Sequence, residues 1–288
     1  MSQTWRWLGL RGICVGLMLA LSGCAWLGEQ QRQIIYRPTL SASQGTTHLP
    51  PGLLHYRLAL PHPGPSGHLA FWWLPQPDAD APTLLYLHGT FRNLEGNLHK
   101  INALHQAGFQ VLAVDYRGWG QSSRLTPSEQ TILSDARQAW AELVRREPHA
   151  AHRVIYGHSM GSAVAVDLAS TLTSPTDYGG LILESAFTSF TDVAQSAGFW
   201  TSVAALFTTE RFTSIDKIGR VQAPLLMLHG SQDNTIPIQL GERLFAAANP
   251  PKQWVRVEGA AHSDLDQVDP GLYQASLHGF AASYLSGQ

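Results

Sequence analysis

Cysteine is nearly absent from this 288-residue chain, and charged residues are few. The two cysteines are Cys14 and Cys24, and Asp, Glu, Lys and Arg together make up 14% of the residues. A disulfide-rich scaffold needs more cysteine, and a coiled coil needs more charge. With a formal net charge of −2 and no basic cluster, the chain lacks the signature of a nucleic-acid-binding protein. The composition favours a globular protein stabilised by its apolar core, and nucleic acid is not expected as a partner.

The apolar run near the start of the chain is short. It extends from Ile13 to Leu21, follows Arg6 and Arg11 without an acidic residue, and is too short to span a bilayer as a helix. A basic start followed by a short apolar run is typical of an export signal. The pattern therefore predicts a signal peptide.

The apolar run ends at Leu21-Ser22-Gly23-Cys24. This sequence resembles the lipobox of bacterial lipoproteins, in which the peptide is cut before the cysteine and that cysteine is acylated. The next residue is Ala25, not Asp, which resembles the outer-membrane sorting pattern of Gram-negative lipoproteins. We predict a signal peptide over residues 1–23 and a lipid anchor at Cys24 that holds the protein in the bacterial envelope, at the outer membrane facing the periplasm. The alternatives are an ordinary secretory signal and an uncleaved anchor.

Residues 24–33 are predicted to form a polar tether, and Ile34-Ile35-Tyr36-Arg37-Pro38 a short first strand or arm. Two further strands are predicted at Leu53–Leu60 and Leu69–Leu74. The intervening Pro61-His62-Pro63-Gly64-Pro65 favours a turn. The two strands are therefore expected to form an antiparallel hairpin that opens a sheet.

From Thr83 onward, strand patterns alternate with helix patterns. Besides the strand that begins at Arg153, predicted strands are Thr83–Leu87, Gln110–Val114, Leu181–Leu183, Pro224–Leu228 and Trp254–Val257. Besides the helix that follows Ser159, predicted helices are Asn97–Gln106, Ser128–Arg146, Ile238–Ala248 and Gly271–Leu285. This alternation implies a parallel sheet covered on both faces. We predict an α/β domain over residues 34–288, with an eight-stranded, mostly parallel sheet.

An apolar run leads into Gly157-His158-Ser159-Met160-Gly161, and small residues follow. Gly-x-Ser-x-Gly between a strand and a helix is typical of the nucleophile elbow. Side chains in place of the two glycines would collide with the neighbouring strand and helix. Ser159 is therefore the candidate nucleophile. A glycine-rich turn without catalytic chemistry is the alternative interpretation.

Two later loops supply candidate partners for Ser159. Asp233 and His262 each follow a predicted strand, and the loops that lead from parallel strands to helices meet at one edge of the sheet. The chain order Ser, Asp, His is the one expected for this motif. A serine hydroxyl needs a base that takes its proton, and the base needs an acid that orients it. We predict a triad of Ser159, His262 and Asp233, with Glu184, also at a strand end, as the alternative acid.

The backbone N–H of Met160 and that of Thr90, in the loop after Leu87, are the predicted donors of an oxyanion hole. His88 and His229 each precede a glycine at a strand end, and both are expected to bond loop backbone. The chain has neither a His-Glu-x-x-His motif nor paired Cys/His spacing. No metal and no cofactor are therefore predicted.

Seven motifs together resemble those of the α/β-hydrolase superfamily. They are Tyr36-Arg37-Pro38, His88-Gly89, Asp115-Tyr116-Arg117-Gly118-Trp119-Gly120-Gln121-Ser122, Gly157-His158-Ser159-Met160-Gly161, Glu184-Ser185-Ala186-Phe187-Thr188-Ser189, His229-Gly230-Ser231-Gln232-Asp233 and Gly259-Ala260-Ala261-His262. Within the superfamily, the chain resembles the small membrane-associated branch with protein depalmitoylases and monoacylglycerol-lipase-like enzymes. It departs from that branch at Thr90-Phe91-Arg92-Asn93, where the branch has Asn directly after the first His-Gly and Gly-Asn two residues later.

Residues 185–222 are predicted to form a small lid. Its aromatic side chains are expected either to line an apolar substrate groove or to pack short helices; they are Phe187, Phe190, Phe199, Trp200 and Phe207. Asp115 and Arg117 are expected to brace the loop after their strand.

The resemblance implies a carboxylesterase, thioesterase or lipase-like serine hydrolase. With the predicted anchor at Cys24, we expect a membrane-bound enzyme that cleaves an ester or thioester, such as a lipid-like acyl substrate, through an acyl-enzyme. A peptidase and a lactone hydrolase would use the same triad. An envelope lipoprotein that uses the fold as a non-catalytic scaffold is the alternative of a different class.

Overall fold

The computed structural model describes residues 26–40, 49–60, 67–198, 201 and 208–285. Within these ranges, eight strands form one sheet: β1 Leu54–Ala59, β2 His68–Leu74, β3 Thr83–Leu87, β4 Gln110–Asp115, β5 Arg153–His158, β6 Gly180–Glu184, β7 Leu225–Gly230 and β8 Lys252–Val257. Their spatial order is β1-β2-β4-β3-β5-β6-β7-β8. The pairs β1–β2 and β2–β4 are antiparallel, and all other neighbours are parallel. The predicted eight-stranded, mostly parallel sheet with its opening hairpin is confirmed.

Helices cover both faces of this sheet. They are α1 (residues 26–36), α2 Leu98–Gln106, α3 Glu129–Arg146, α4 Met160–Ala169, α5 Phe190–Ser196, α6 Ile238–Ala247, α7 Leu265–Val268 and α8 Pro270–Tyr284. In β3, Leu85 and Leu87 pack in one core cluster with α3, α4 and α6, whereas Leu84 and Tyr86 pack in the other with α2 and α8. Successive side chains of a strand point to opposite faces. The central strands are therefore apolar throughout, which made them recognisable from the sequence.

The segment before the hairpin differs from the prediction. Residues 26–36 form α1, where a tether over residues 24–33 and then a short strand or arm over Ile34-Ile35-Tyr36-Arg37-Pro38 were predicted. Glu, Gln and Arg, which dominate positions 29–33, are good helix formers. Tyr36 is fully buried, and its hydroxyl donates a hydrogen bond to Glu210. This contact fixes the end of α1 on the domain, and the prediction of a strand at Ile34-Ile35-Tyr36 is wrong.

The predicted signal peptide and Cys24 lie outside the described residues. Within the described ranges, no helix is both long and apolar enough to cross a membrane.

Candidate active site

Ser159 lies in the turn between β5 and α4, in the predicted strand–turn–helix context. Its backbone has φ 55° and ψ −123°, a conformation rare outside glycine. A Cβ on Gly157 would lie 2.2 Å from the carbonyl oxygen of Gly161, and a Cβ on Gly161 would lie 2.0 Å from that of Leu87. Both glycines are therefore required because no side chain fits at either position.

Ser159, His262 and Asp233 form one chain of hydrogen bonds. Ser159 Oγ lies 2.8 Å from His262 Nε2, and His262 Nδ1 lies 2.8 Å from Asp233 Oδ2. The serine follows β5, the aspartate follows β7 and the histidine follows β8, so the three loops meet at the carboxyl edge of the parallel strands. In this geometry a histidine can take the serine proton while a carboxylate orients the ring.

The Asp233 carboxylate is also held by its own loop. Its Oδ1 accepts hydrogen bonds from the backbone N–H groups of Thr235 and Ile236, at 2.9 and 2.8 Å. Burial raises the pKa of Asp233, but hydrogen bonds from His229 and His262 outweigh that effect and hold the pKa well below its usual value. The carboxyl is therefore ionised at neutral pH. His229 Nε2 lies 3.0 Å from the carbonyl oxygen of Ile236, which is the predicted bond to loop backbone.

The backbone of His262 is fixed by two side chains that the sequence did not single out. Its carbonyl oxygen lies 3.0 Å from His158 Nε2 and 3.0 Å from Ser185 Oγ. Burial lowers the pKa of His158 well below its usual value, and the charge on Lys100 acts in the same direction. The His158 ring is therefore neutral and donates through Nε2–H. The only sequence signal for this role was the position of His158 beside the serine.

Glu184, the alternative acid, contacts Lys100 and not the His262 ring. Both Glu184 and Lys100 are fully buried, and they form an ion pair. The Glu184 carboxylate also accepts hydrogen bonds from the hydroxyls of Tyr156 and Tyr273. Its charge is thus balanced inside the core, and among the described residues only Asp233 supplies a carboxylate to the His262 imidazole.

The proposed oxyanion donors border the same space as Ser159. The N–H groups of Thr90 and Met160 find no acceptor in the described part of the chain, and both residues line a cavity that Ser159 also lines. Trp119 Nε1 donates to the carbonyl oxygen of Thr90 at 2.6 Å, which fixes the backbone on the carboxyl side of this residue. Met160 is the first residue of α4, where the helix dipole favours negative charge. This arrangement suits an oxyanion.

Two cavities meet at Ser159. The first, of about 380 Å³, is called here the apolar groove; its apolar lining includes Ile34, Ile35, Phe91, Phe187, Phe190 and Val193. The second, of about 650 Å³, has a more polar lining, which includes Arg92, Asn97, His99, Asp264 and Gln267. Phe187 and Phe190 are also stacked on each other, with ring centroids 5.3 Å apart. They therefore fit both predicted roles of the aromatic cluster, whose other members, Phe199, Trp200 and Phe207, lie outside the described residues.

Asp115 and Arg117 brace their loop, as predicted. Asp115 Oδ1 accepts a hydrogen bond from the N–H of Leu94 at 3.0 Å, and Arg117 Nε donates to the buried Asp135 at 2.8 Å. Burial raises the pKa of Asp115 to about 7, against the opposing hydrogen bond from Leu94. Neither side chain contacts the triad.

His88 lies beneath the same loop, with Nδ1 2.6 Å from the carbonyl oxygen of Gly89, so it bonds loop backbone as predicted. Burial lowers its pKa to about 4.

Among the described residues, one group of side chains has ligand atoms close enough to share a metal ion, namely Glu147, His149 and His152. This group lies just before β5, whereas Ser159 lies just after β5. The group is therefore at the edge of the sheet opposite the one that carries Ser159.

Comparisons with known proteins agree with this fold. The Hydrolase_4 family, described as serine aminopeptidase, S33, matches residues 80–214. An uncharacterized protein of Mycobacterium tuberculosis strain H37Rv is 32% identical over 260 residues, which is 89% of this chain and 89% of that protein. Alpha/beta hydrolase domain-containing protein 17B of Xenopus laevis is 32% identical over 205 residues, covering 70% of this chain and 67% of that protein.

Among solved structures, an esterase of Pyrococcus furiosus is similar, with a TM-score of 0.64 and 18% identity, over 82% of this chain and 92% of that one. At that identity the likeness supports the fold, whereas the sequence relatives support the family. The chain belongs to the α/β-hydrolase superfamily, and it is a serine hydrolase.

Proposed function

We propose that this protein cleaves carboxylic ester or thioester bonds through an acyl-enzyme on Ser159. The observation that carries the proposal is the chain of hydrogen bonds from Ser159 through His262 to Asp233, at a point where an apolar groove meets a polar cavity. An apolar groove suits the acyl part of a substrate, and a polar cavity suits the alcohol or thiol that leaves.

In the first half of the reaction, Ser159 Oγ attacks the substrate carbonyl carbon while His262 Nε2 takes the hydroxyl proton. The negative charge that develops on the carbonyl oxygen is stabilised by the N–H groups of Thr90 and Met160. Asp233 stabilises the imidazolium. When the intermediate collapses, the bond to the leaving group breaks, and His262 gives its proton to the departing alcohol or thiol.

In the second half, a water molecule replaces the leaving group. His262 takes a proton from the water as its oxygen attacks the acyl carbon, and the same two N–H groups stabilise the second oxyanion. Collapse of this intermediate breaks the bond to Ser159 Oγ, which regains the proton from His262. The carboxylic acid leaves, and the site returns to its initial state.

A fluorophosphonate probe tests the proposal directly, because it reacts with an activated serine. We expect labelling of Ser159, no labelling of Ser159→Ala, and hydrolysis of p-nitrophenyl butyrate by the parent protein only. A folded parent protein that is neither labelled nor active would support the non-catalytic scaffold. Melting temperatures of both proteins serve as the folding control.

Peptide-bond cleavage is the second candidate, because the matching family is described as a serine aminopeptidase. The same triad would serve an amide substrate, whose leaving amine is harder to expel. An aminoacyl p-nitroanilide and a p-nitrophenyl ester of the same acyl group separate the two. For each substrate, the measured quantity is the rate with enzyme divided by the rate without it. We expect this ratio to be much larger for the ester; a larger ratio for the anilide would make the protein a peptidase.

We further propose that the mature protein begins at Cys24 and carries a lipid there. The basic start, the short apolar run and Leu21-Ser22-Gly23-Cys24 support this. Mass spectrometry of protein from a bacterial envelope is expected to show an N-terminal, diacylglyceryl-modified cysteine, and Cys24→Ala is expected to leave the membrane fraction. An intact Met1 would contradict the proposal.

A further inference from the structure

Helix α1, which precedes the hydrolase sheet, forms part of the apolar groove. Gln31, Ile34 and Ile35 line the same cavity as Ser159. These positions are three and four residues apart, so they lie on one side of the helix. Phe187, in the loop after β6, and Phe190, the first residue of α5, line the same groove. One wall of the space beside the nucleophile therefore comes from the N-terminal helix.

The rest of α1 is held against the domain by polar contacts. Thr126 Oγ1 donates to Glu29 at 2.9 Å and accepts from Gln33 Nε2 at 3.1 Å. At the end of the helix, Tyr36 is buried against Glu210. These contacts hold the helix in one orientation, in which Ile34 and Ile35 border the groove.

Large apolar side chains are exposed on α1 and beside the groove. Trp26, Leu27 and Ile34 are 63%, 57% and 68% exposed on α1, and Phe91, which lines the groove together with Ile34, is 51% exposed. Leu27 lies seven residues before Ile34, so both share one stripe of the helix. These four residues are called here the mouth patch. Single exposed apolar residues are common, but a group that continues from an apolar cavity along a helix marks an interaction surface.

The position of the mouth patch along the chain indicates what covers it. Cys24 is two residues before Trp26. A helix rises about 1.5 Å per residue, so Ile34 is only ~12 Å along α1 from Trp26. A lipid attached at Cys24 would therefore hold the mouth patch close to the bilayer surface. The guanidinium of Arg37, 5.4 Å from the centre of the Phe91 ring, adds a positive charge beside the patch that suits anionic lipid headgroups.

We propose that α1 and Phe91 form an entrance through which the long acyl chain of a bilayer-embedded ester enters the apolar groove. Trp26 and Leu27 contact the bilayer, and Ile34 and Ile35 contact the acyl chain as it approaches Ser159. The proposal rests on the proposed function, because it assigns the groove to the acyl part of that reaction. It makes the N-terminal helix a specificity element, although it precedes the first strand.

The test uses the full chain reconstituted in phosphatidylethanolamine–phosphatidylglycerol vesicles. The measured quantity is the ratio of two kcat/KM values, for p-nitrophenyl decanoate dissolved in the vesicles and for water-soluble p-nitrophenyl butyrate. The variants are Ile34→Ser, at the groove, and Leu27→Ser, two turns earlier on the same stripe of α1. The matched control is Leu272→Ser, an exposed leucine on α8 that does not line the groove.

We expect Ile34→Ser and Leu27→Ser each to lower the ratio about fivefold. Both side chains bury only part of their surface in the protein, so the expected loss is little more than the roughly fourfold that one methylene contributes. Leu272→Ser should leave both rates and the melting temperature unchanged. Since Leu27 and Ile34 are exposed, all three variants are expected to fold.

Two outcomes would overturn the proposal in distinguishable ways. If butyrate is cleaved but the ratio stays the same in both α1 variants, α1 is not an acyl entrance, whereas the proposed function stands. The same conclusion follows if the variants instead abolish a dimer without changing the ratio, because the mouth patch is then an interface between copies. If the parent cleaves neither ester, the proposed function fails, and this proposal fails with it.

Discussion

Asp233 and Glu184 are both buried carboxylates at strand ends, and their contacts separate their roles. Asp233 lies 2.8 Å from His262 Nδ1, whereas Glu184 pairs with Lys100. In the sequence, both carboxylates occur where an apolar strand ends at the same sheet edge, so Asp233 is predicted as the acid and Glu184 stays its alternative. Only the partners, which come from elsewhere in the chain, distinguish them.

Replacement of the two carboxylates gives the sharpest test of the triad. Asp233→Asn should lower kcat by up to ~10⁴, because the amide favours the wrong histidine tautomer. Glu184→Gln should lower it by less than about tenfold, since Glu184 contacts neither His262 nor the reacting atoms. Hydrolysis of p-nitrophenyl butyrate, measured well below both melting temperatures, checks this. The opposite ranking would show that the acid is misassigned.

Asp115 gives a prediction about stability and pH. Its folded-state pKa is about 7, chiefly because burial disfavours the charge, whereas an exposed carboxyl loses its proton near pH 4. Between these values the folded protein holds a proton that the unfolded chain has released. Stability is therefore expected to fall as pH rises from about 4 to 7.

The variant Asp115→Asn removes this dependence and resembles the protonated carboxyl in shape. From pH 5 to pH 8, the parent should lose about 2–3 kcal/mol more of its unfolding free energy than the variant loses. Urea denaturation at both pH values measures the difference. Equal losses in the two proteins would mean that Asp115 is already ionised at pH 5.

The positions of single residues were predictable where a motif fixes them, and their catalytic roles stay predictions. Short local patterns placed Ser159 and Met160 in a strand–turn–helix, and the order of loops placed Asp233 and His262 at the same sheet edge. His158 and Lys100 were not predictable, because their roles depend on contacts between residues far apart in sequence. His158 bonds a carbonyl 104 residues away, and Lys100 pairs with a carboxylate 84 residues away.

At the scale of elements, the buried strands were predictable and α1 was not. A strand buried on both faces must be apolar along its length, which leaves an unmistakable run in the sequence. In α1, the β-branched pair Ile34-Ile35 suggested a strand. The helix is instead fixed by local propensity and by contacts such as that of Tyr36 with Glu210, 174 residues away. The helix α7 was missed because it is short, and α5 was expected only as one of the short helices in the region 185–222.

The turn between β5 and α4 leaves no space for a side chain at Gly157 or Gly161. Gly157→Ala would place a Cβ 2.2 Å from a backbone oxygen, so the strand and helix must separate. We expect a loss of about 3 kcal/mol or more of unfolding free energy and the loss of ester hydrolysis. Chemical denaturation and the butyrate assay measure the two effects.

Gly279→Ala is the matched control for the turn. Gly279 lies within α8, and a Cβ there would have no heavy atom within 4 Å. Alanine in a helix is more favourable than glycine, so this variant should gain about 0.5–1 kcal/mol and keep full activity. A similar loss in both variants would show that glycine flexibility, and not the close approach at β5–α4, is responsible.

At the scale of the whole molecule, a buried ion network joins the sheet to the helices beneath the active site. Lys100 Nζ, on α2, contacts Glu184 at the end of β6 and Asp266 on α7. The backbone carbonyl of Glu184 accepts the N–H of Ser159 at 3.0 Å, and α7 follows the His262 loop directly. The network therefore connects the elements that carry the nucleophile and the base.

Removal of Lys100 should be costly because it leaves the buried Glu184 without its cation and leaves Asp266 with His99 alone as its ion-pair partner. Lys100→Met is expected to lower the unfolding free energy by about 3–5 kcal/mol, since an unpaired buried charge is penalised far more than a pair. Adding Glu184→Gln removes one stranded charge, so the double variant should be more stable than Lys100→Met alone. Urea denaturation of the parent, both single variants and the double variant measures this coupling. The residues are independent if the sum of the two single losses of unfolding free energy equals the loss in the double variant to within about 0.5 kcal/mol. In that case the core beneath the active site is held by apolar packing alone.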